Sequence, residues 1–226
     1  MPGHDDQPLI HRLGALDSCA VSDALDSCGL PAAVTGLLPL AARQRIAGPA
    51  ITVKLGPDKP DGGSPRHLGT AAIEAAMPGD IIVIEHRSGV ECAGWGGVLS
   101  AGAQIREVAG VVIDGLARDI DEAEQLQFPV YGRGATARTA RGRVYEQDFN
   151  HPVEIGGISV SPGDIVLADA SGVAFVPRDR LEDIVRRAER IAERERLMVV
   201  ALRQGQAITA VVGRDYEDML DKLETD

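Results

Sequence analysis

Aromatic side chains are scarce in this chain: Phe, Tyr and Trp make up 3% of its 226 residues, with a single tryptophan. A core must therefore be filled by Val, Ile, Leu and Ala. The same scarcity argues against single-stranded nucleic-acid binding, which relies on aromatic stacking platforms. Positive charge is short as well. Lys and Arg number 23 against 34 Asp and Glu, a formal net charge of −11, which opposes phosphate backbones and anionic membranes. No nucleic-acid partner and no membrane partner are expected. No apolar run approaches the roughly 20 residues needed to span a bilayer, and the amino-terminal MPGHDDQPLI lacks a basic-then-apolar signal. Cysteines are few and odd in number, Cys19, Cys28 and Cys92, with no CxxC pairing. That fits free thiols in a reducing compartment better than a disulfide framework. These absences predict a cytoplasmic protein.

What is present reads as an α/β chain. Hydrophobic content of 44% and charged content of 25% are ordinary for a globular protein, and the length suits one domain over 1–226. Leu9, Leu13, Leu16, Ala20 and Ala24 follow helical spacing, with Asp17 and Ser18 able to divide the stretch into two helices. Ile46 to Leu55 reads as a strand whose Gly48-Pro49 entry suggests an edge or a bulge. Asp58 to Pro65 reads as a loop, and His67 to Ala76 as a helix stopped by Pro78-Gly79. Asp80 to Glu85 is aliphatic enough for a strand buried on both faces, and Phe128 to Gly132 is a further strand. Val153 to Val160 alternates around Gly156-Gly157, a hairpin signal. With Ile165 to Ala168 and Val173 to Val176 it predicts a compact antiparallel or barrel-like β layer. Arg178 to Gln204 is a long amphipathic helix with an Asp179/Glu182 capping signature, and the tail from Gly213 to Asp226 reads as a short acidic helix.

The chemistry concentrates between Gly94 and Glu122. Gly94-Trp95-Gly96-Gly97 opens a helical segment over Val98 to Val108, and Gly110 breaks it. The aliphatic run Val111-Val112-Ile113 then ends in Asp114-Gly115-Leu116-Ala117-Arg118-Asp119-Ile120-Asp121-Glu122. Loops at the carboxyl ends of strands in α/β proteins are where ligands usually sit. Free amides at the start of a helix suit an anion. The pattern is neither G-x-G-x-x-G nor a P-loop, so the matching anion is small, such as a carboxylate. Asp119 and Glu122, three apart, can share one hard cation and its waters, with Arg118 beside them for a carboxylate or oxyanion. The same spacing also describes a helix start whose acids complement the dipole. Ser100, Ser161, Ser171 and Cys92 lack a triad, and the central stretch has no lysine for a Schiff base. His67 and His86 read as solvated or packed imidazoles.

Those residues carry a resemblance. Val21-Ser22-Asp23-Ala24-Leu25, Ala47-Gly48-Pro49-Ala50, Pro78-Gly79-Asp80, Gly94 to Ala101, Gly110 to Asp119, and Pro162-Gly163-Asp164-Ile165 through Gly172-Val173 run the length of the chain, the most specific piece being Val111 to Asp119. In these the chain resembles the RraA-like family, which includes metal-dependent 4-hydroxy-4-methyl-2-oxoglutarate aldolases and regulators of ribonuclease E activity. The resemblance implies a swivelling β/β/α fold with layered β-sheets and outer helices. It also implies a homotrimer or homohexamer with the site between subunits, and places the C-terminal helices of about 178–226 in subunit contacts.

The function implied is a divalent-metal-dependent C–C lyase on pyruvyl 2-oxo acids. It would perform class II-type retro-aldol cleavage of 4-hydroxy-2-oxo acids, oxaloacetate decarboxylation, or both, through a metal-stabilised pyruvate enolate. Arg118, Asp119 and Glu122 become the expected catalytic residues, and Asp119 the direct ligand of Mg²⁺ or Mn²⁺. Gly96, Gly97, Val98, Leu99 and Arg118 are expected to hold the substrate, and Asp114 is a further candidate for orienting water. Where the family's aldolases carry an Asp, this chain has Gly97, the Gly-x20-Arg-Asp variant associated with oxaloacetate decarboxylation and with the regulators. A non-catalytic regulator binding a ribonuclease or another protein is the alternative, and a methyltransferase lacks its glycine-rich loop and acidic ribose partner.

Overall fold

The computed structural model describes residues 6–59 and 67–212. The predicted pair of helices forms as α1 (Gln7–Ala15) and α2 (Ser18–Ser27), divided where Asp17 accepts a hydrogen bond from the Ala20 amide at 2.8 Å. Strands β1 (Leu38–Ala41) and β2 (Ile46–Gly56) follow, then α3 (Thr70–Ala75), shorter than predicted, and β3 (Ile81–Glu85). The central stretch folds as β4 (Ala93–Trp95), α4 (Gly97–Ile105), β5 (Gly110–Ala117) and α5 (Ile120–Gln125). Beyond it lie β6 (Val130–Ala135), β7 (Tyr145–Phe149), β8 (Val153–Ile155), β9 (Ile158–Val160), β10 (Ile165–Ala168) and β11 (Val173–Val176). Helices α6 (Leu181–Arg203) and α7 (Ile208–Val211) close the described chain.

One sheet runs in the order β1-β6-β5-β3-β2-β10-β11, with β4 attached to β5 and β7 to β2, while β8 and β9 form a separate hairpin. Strands β2, β3, β5 and β6 are parallel, whereas β10 is antiparallel to both β2 and β11. Both faces of the parallel part are covered. Ile82, Ile84, Val111 and Ile113 face a cluster that includes Trp95 and Leu99. Their neighbours Val83 and Val112 face Tyr131, Ile155 and Phe175. Ile165 and Leu167 of β10 pack instead on α1, α2 and α6. That two-sided burial is why β3 and β5 are aliphatic runs rather than alternating strands.

Several sequence expectations are corrected here. Strand β2 is interior, not an edge: it pairs with β3 on one side and with β7 and β10 on the other. Its Gly48 reflects close approach, since a Cβ there would lie 2.1 Å from the Gly79 carbonyl oxygen. Strands β10 and β11 do not form a layer of their own but extend the main sheet through β2. The Gly156-Gly157 hairpin is as predicted, with φ of +58° and +89°. Helix α6 makes no side-chain cap bond; a 3-10 turn over Arg178–Arg180 leads into it, so the Asp179/Glu182 signature does not cap it. Asp183 gathers Arg180, Arg186 and Arg187 in that first turn instead. The predicted tail helix at Gly213 to Asp226 and the loop from residue 60 to Pro65 lie outside the described residues. No helix among the described residues is long and apolar enough to cross a membrane.

Candidate active site

The two halves of the 94–122 stretch meet because β4 is a strand rather than the first part of a turn. Ala93 pairs with Leu116 and Trp95 with Ala117, and the Arg118 amide donates to the Trp95 carbonyl at 3.0 Å. This sets the Gly96-Gly97 entry of α4 against the loop leaving β5. The Trp95 indole N–H donates to the Ser100 hydroxyl at 2.9 Å, and that hydroxyl reaches the Gly96 carbonyl at 3.3 Å. Ser100 is fully buried, so this polar link holds the start of α4 in place. Sequence reasoning missed it, because a three-residue strand has too short a period to show and Ser100 was weighed only as a nucleophile.

Asp119 is the centre of the arrangement. Its backbone is left-handed (φ 56°, ψ 44°) at the N-cap position of α5, yet its carboxylate makes no cap bond to that helix. The Asp119 Oδ2 atom instead accepts the Gly97 N–H at 3.0 Å and the Arg118 Nε–H at 3.2 Å. The acids do fall at the helix start, Asp119 at the N-cap and Asp121 and Glu122 in the first turn, as the dipole reading has it, but the Asp119 side chain is not spent on capping. A residue other than glycine in the left-handed region is uncommon, though Asp tolerates it, and here the conformation turns the carboxylate toward α4.

Around it, space is tight on one side and open on the other. A Cβ on Gly97 would sit 3.1 Å from the Asp119 Cβ and 3.3 Å from the Glu122 Cβ, and one on Gly96 would sit 2.8 Å from Asp119 Oδ2. Asp119 and Arg118 stay partly open to solvent, with 33% and 40% of their side chains exposed. Glu122 is exposed and its carboxylate has no hydrogen bond or ion pair among the described residues. The first amides of α4, those of Gly97, Val98 and Leu99, precede the helix's own hydrogen bonds, and the Gly97 amide is taken by Asp119. Val98 points outward, 87% exposed, while Leu99 packs inward at 7%.

Asp114 does not join this group. It lies within β5, buried, with Oδ1 accepting from Arg133 Nε at 2.8 Å and Oδ2 from the Gly156 amide at 2.8 Å. One oxygen thus ties β5 to Arg133 of β6 and the other ties it to the β8–β9 hairpin, a structural role away from Asp119. His86 is a packed imidazole, as expected, its Nε2 2.8 Å from the Cys92 carbonyl oxygen. Cys92 is itself buried, and burial pushes its thiol up, which suits an inert core cysteine rather than a nucleophile.

No group of three or more His, Cys, Asp or Glu able to hold a metal occurs among the described residues. The donor set at Asp119 suits a cation that keeps most of its waters. The oxygens on offer are all hard carboxylate oxygens, Asp119 Oδ1 has no partner among the described residues, and Glu122 is close by. Mg²⁺ and Mn²⁺ accept one or two carboxylates with water completing the shell.

Comparison with known proteins places the chain in a family. The family model described as RraA-like, Aldolase/RraA, matches residues 18–175. Protein DlpA of Legionella pneumophila is 30% identical over 200 residues, a match covering 88% of this chain and 32% of DlpA, so the chain spans about a third of that relative. A Halalkalibacterium halodurans protein named "Putative 4-hydroxy-4-methyl-2-oxoglutarate aldolase" is 31% identical over 80% of this chain and 82% of its own length. The crystal structure of a Streptomyces coelicolor protein, described as an unusual member of the RNase ES inhibitor RraA family, superposes with a TM-score of 0.76 at 26% identity, covering 87% of this chain and 99% of that one. With its mixed α/β sheet and the model match over most of its length, the chain belongs to the RraA-like family.

Proposed function

We propose that this chain is a divalent-metal-dependent C–C lyase acting on pyruvyl 2-oxo acids, with oxaloacetate decarboxylation or retro-aldol cleavage of 4-hydroxy-2-oxo acids as its reaction. The observation that carries this reading is the convergence of the Gly97 amide and Arg118 on the Asp119 carboxylate at the end of β5. A cation-binding acid, a guanidinium and free helix amides there stand within reach of one small ligand.

Each group has a task that its chemistry suits. The amides of Val98 and Leu99, with that of Gly97 once released, face the substrate carboxylate from the start of α4. Gly96 keeps the approach open, since any side chain there meets Asp119. As the C–C bond of the substrate breaks, its electron pair passes through the adjoining carbon to the keto oxygen, and Arg118 meets the charge that develops there. Asp119 would be the residue to hold Mg²⁺ or Mn²⁺, which would supply Lewis acidity to the reaction. Glu122, exposed and unpaired among the described residues, would hold a water that takes up the hydroxyl proton when a 4-hydroxy acid is cleaved. In either reaction a water there supplies the proton that the enolate carbon gains, giving pyruvate and either carbon dioxide or a carbonyl compound. The missing acid at Gly97 favours decarboxylation over aldol cleavage, since the resembled aldolases carry an Asp there; a Cβ at this position would press on those of Asp119 and Glu122 at 3.1 and 3.3 Å.

The test is pyruvate release from oxaloacetate and from 4-hydroxy-4-methyl-2-oxoglutarate, with Mg²⁺ and with EDTA. Removing one preorganised charge at a developing oxyanion costs about a hundredfold in rate. Arg118→Ala and Asp119→Ala should each lose at least that much, and EDTA should remove the wild-type rate. Turnover that survives EDTA or either substitution would sink the assignment. A regulator that binds a ribonuclease or another protein needs none of these groups, so a folded protein with no metal-dependent pyruvate release selects that reading instead.

A further inference from the structure

The Asp119 carboxylate sits on donors that an incoming carboxylate would use. One of its oxygens accepts from both the Gly97 amide at 3.0 Å and Arg118 Nε at 3.2 Å. It does so instead of capping α5, the ordinary task of an acid at that position. The left-handed backbone at 119 directs it there, and the absence of a Cβ at Gly96 and Gly97 allows the approach, since a side chain at either would crowd Asp119. The chain thus places its own anion at the start of α4. A second carboxylate brought to the same amides would lie beside a like charge and would lack one of the first donors.

We propose that Asp119 is an internal plug as well as a cation ligand, so that carboxylate ligands reach the start of α4 only after a cation has drawn Asp119 off Gly97 and Arg118. This rests on reading the site as one for a cation and a carboxylate. Binding is then ordered, cation first, and the cation's effect on anion affinity includes release of the plug. Asp119 antagonises the anion whenever the cation is missing.

The experiment titrates the full-length protein with oxalate in EDTA, by calorimetry and by the fluorescence of Trp95, the chain's one tryptophan, whose carbonyl holds the Arg118 amide. Asp119→Gly removes the carboxylate and suits φ 56°, and Asp119→Asn keeps an acceptor without charge in a residue that tolerates the same backbone. In EDTA the glycine variant should bind oxalate at least about tenfold more tightly than wild type, the yield of one freed charge-assisted hydrogen bond. The asparagine variant should fall between, and adding Arg118→Ala to Asp119→Gly should remove the gain.

With Mg²⁺ the order reverses and wild type binds more tightly. Equal or weaker metal-free binding by both variants overturns the plug, because a residue that only binds metal or only supports the loop yields no such gain. Should Asp119→Gly fail to fold by circular dichroism, Asp119→Asn alone decides. The lyase reading fails on a different result, the absence of metal-dependent pyruvate release, so the two are separable.

Discussion

Asp80 and Asp169 are both buried, 5% and 8% exposed, yet their carboxylates are held in opposite directions. Burial raises Asp80 above the usual carboxylate range, and its bond from the Met77 amide only partly offsets this. Burial acts on Asp169 too, but the Ser18 hydroxyl and amide, the Ser171 amide and Arg45 outweigh it and hold Asp169 low. The depressed Asp169 contributes stability above its unfolded value of about 3.9, lost as pH falls through its folded value. The raised Asp80 behaves in reverse: its contribution is present below about pH 3.9 and is lost as pH rises through its folded value. At pH 7 Asp169→Asn should therefore cost roughly 1–3 kcal/mol. Asp80→Asn, which keeps the acceptor for Met77, should be neutral or stabilising. Urea unfolding at pH 7 and pH 4 checks both. The Asp80→Asn difference should shrink at pH 4, whereas the Asp169→Asn loss should largely persist there, because it fades only as pH falls through the depressed folded value of Asp169. Equal losses at pH 7 would contradict the contrast. Arg118 and Asp119 were legible in the sequence because charge follows an aliphatic run abruptly there. The Gly97–Asp119 bond was not, since it depends on a left-handed backbone that residue type only permits.

Among the elements, the Pro-Gly-Asp turns show what a short motif can and cannot disclose. Met77-Pro78-Gly79-Asp80 and Ser161-Pro162-Gly163-Asp164 each close with an Asp amide donating to the first residue's carbonyl at 3.1 Å and an Asp side chain accepting from the first residue's amide at 2.8 Å. Both feed strands that flank β2, so Ile81 pairs with Ala50 and Ile165 with Pro49. The turns themselves were readable from Pro and Gly. Their meeting at β2 was not, because Gly48-Pro49 reads locally as an edge when its cause is the Gly79 carbonyl beside it. Gly48→Ala forces a Cβ to 2.1 Å from backbone oxygen and should lower stability by about 3 kcal/mol or more, as overpacking against backbone does. A thermal midpoint within a degree or two of wild type would show that the turn moves freely. The β8–β9 hairpin makes the complementary case. Its Gly-Gly turn was plain in the sequence, but the carboxylates that hold it, Glu85 on the Glu154 amide and Asp114 on the Gly156 amide, come from neighbouring strands.

Across the whole molecule, burial is uneven. Strands β2, β3, β5 and β10 carry buried aliphatic rows on both faces. The buried face of α6 ends at Ile191, and Leu197, Val199 and Ile208 stand about half exposed beyond it. Hydrogen exchange should therefore be slowest in β2, β3, β5 and β10 and fastest in α7 and the last turns of α6. Slow exchange in α7 would mean that another surface covers it. The α/β class and most elements were legible because burial imposes periodicity. The sheet order was not, because it joins strands far apart in the chain. Strand β2 draws the widest consequence, for it is shared between the parallel strands that carry Arg118 and Asp119 and the antiparallel pair that seats α6. Among the described residues the sheet offers no seam along which it could be divided. A graft of the Arg118–Asp119 loop into a new protein would have to bring everything from α1 to α6 as one indivisible cassette.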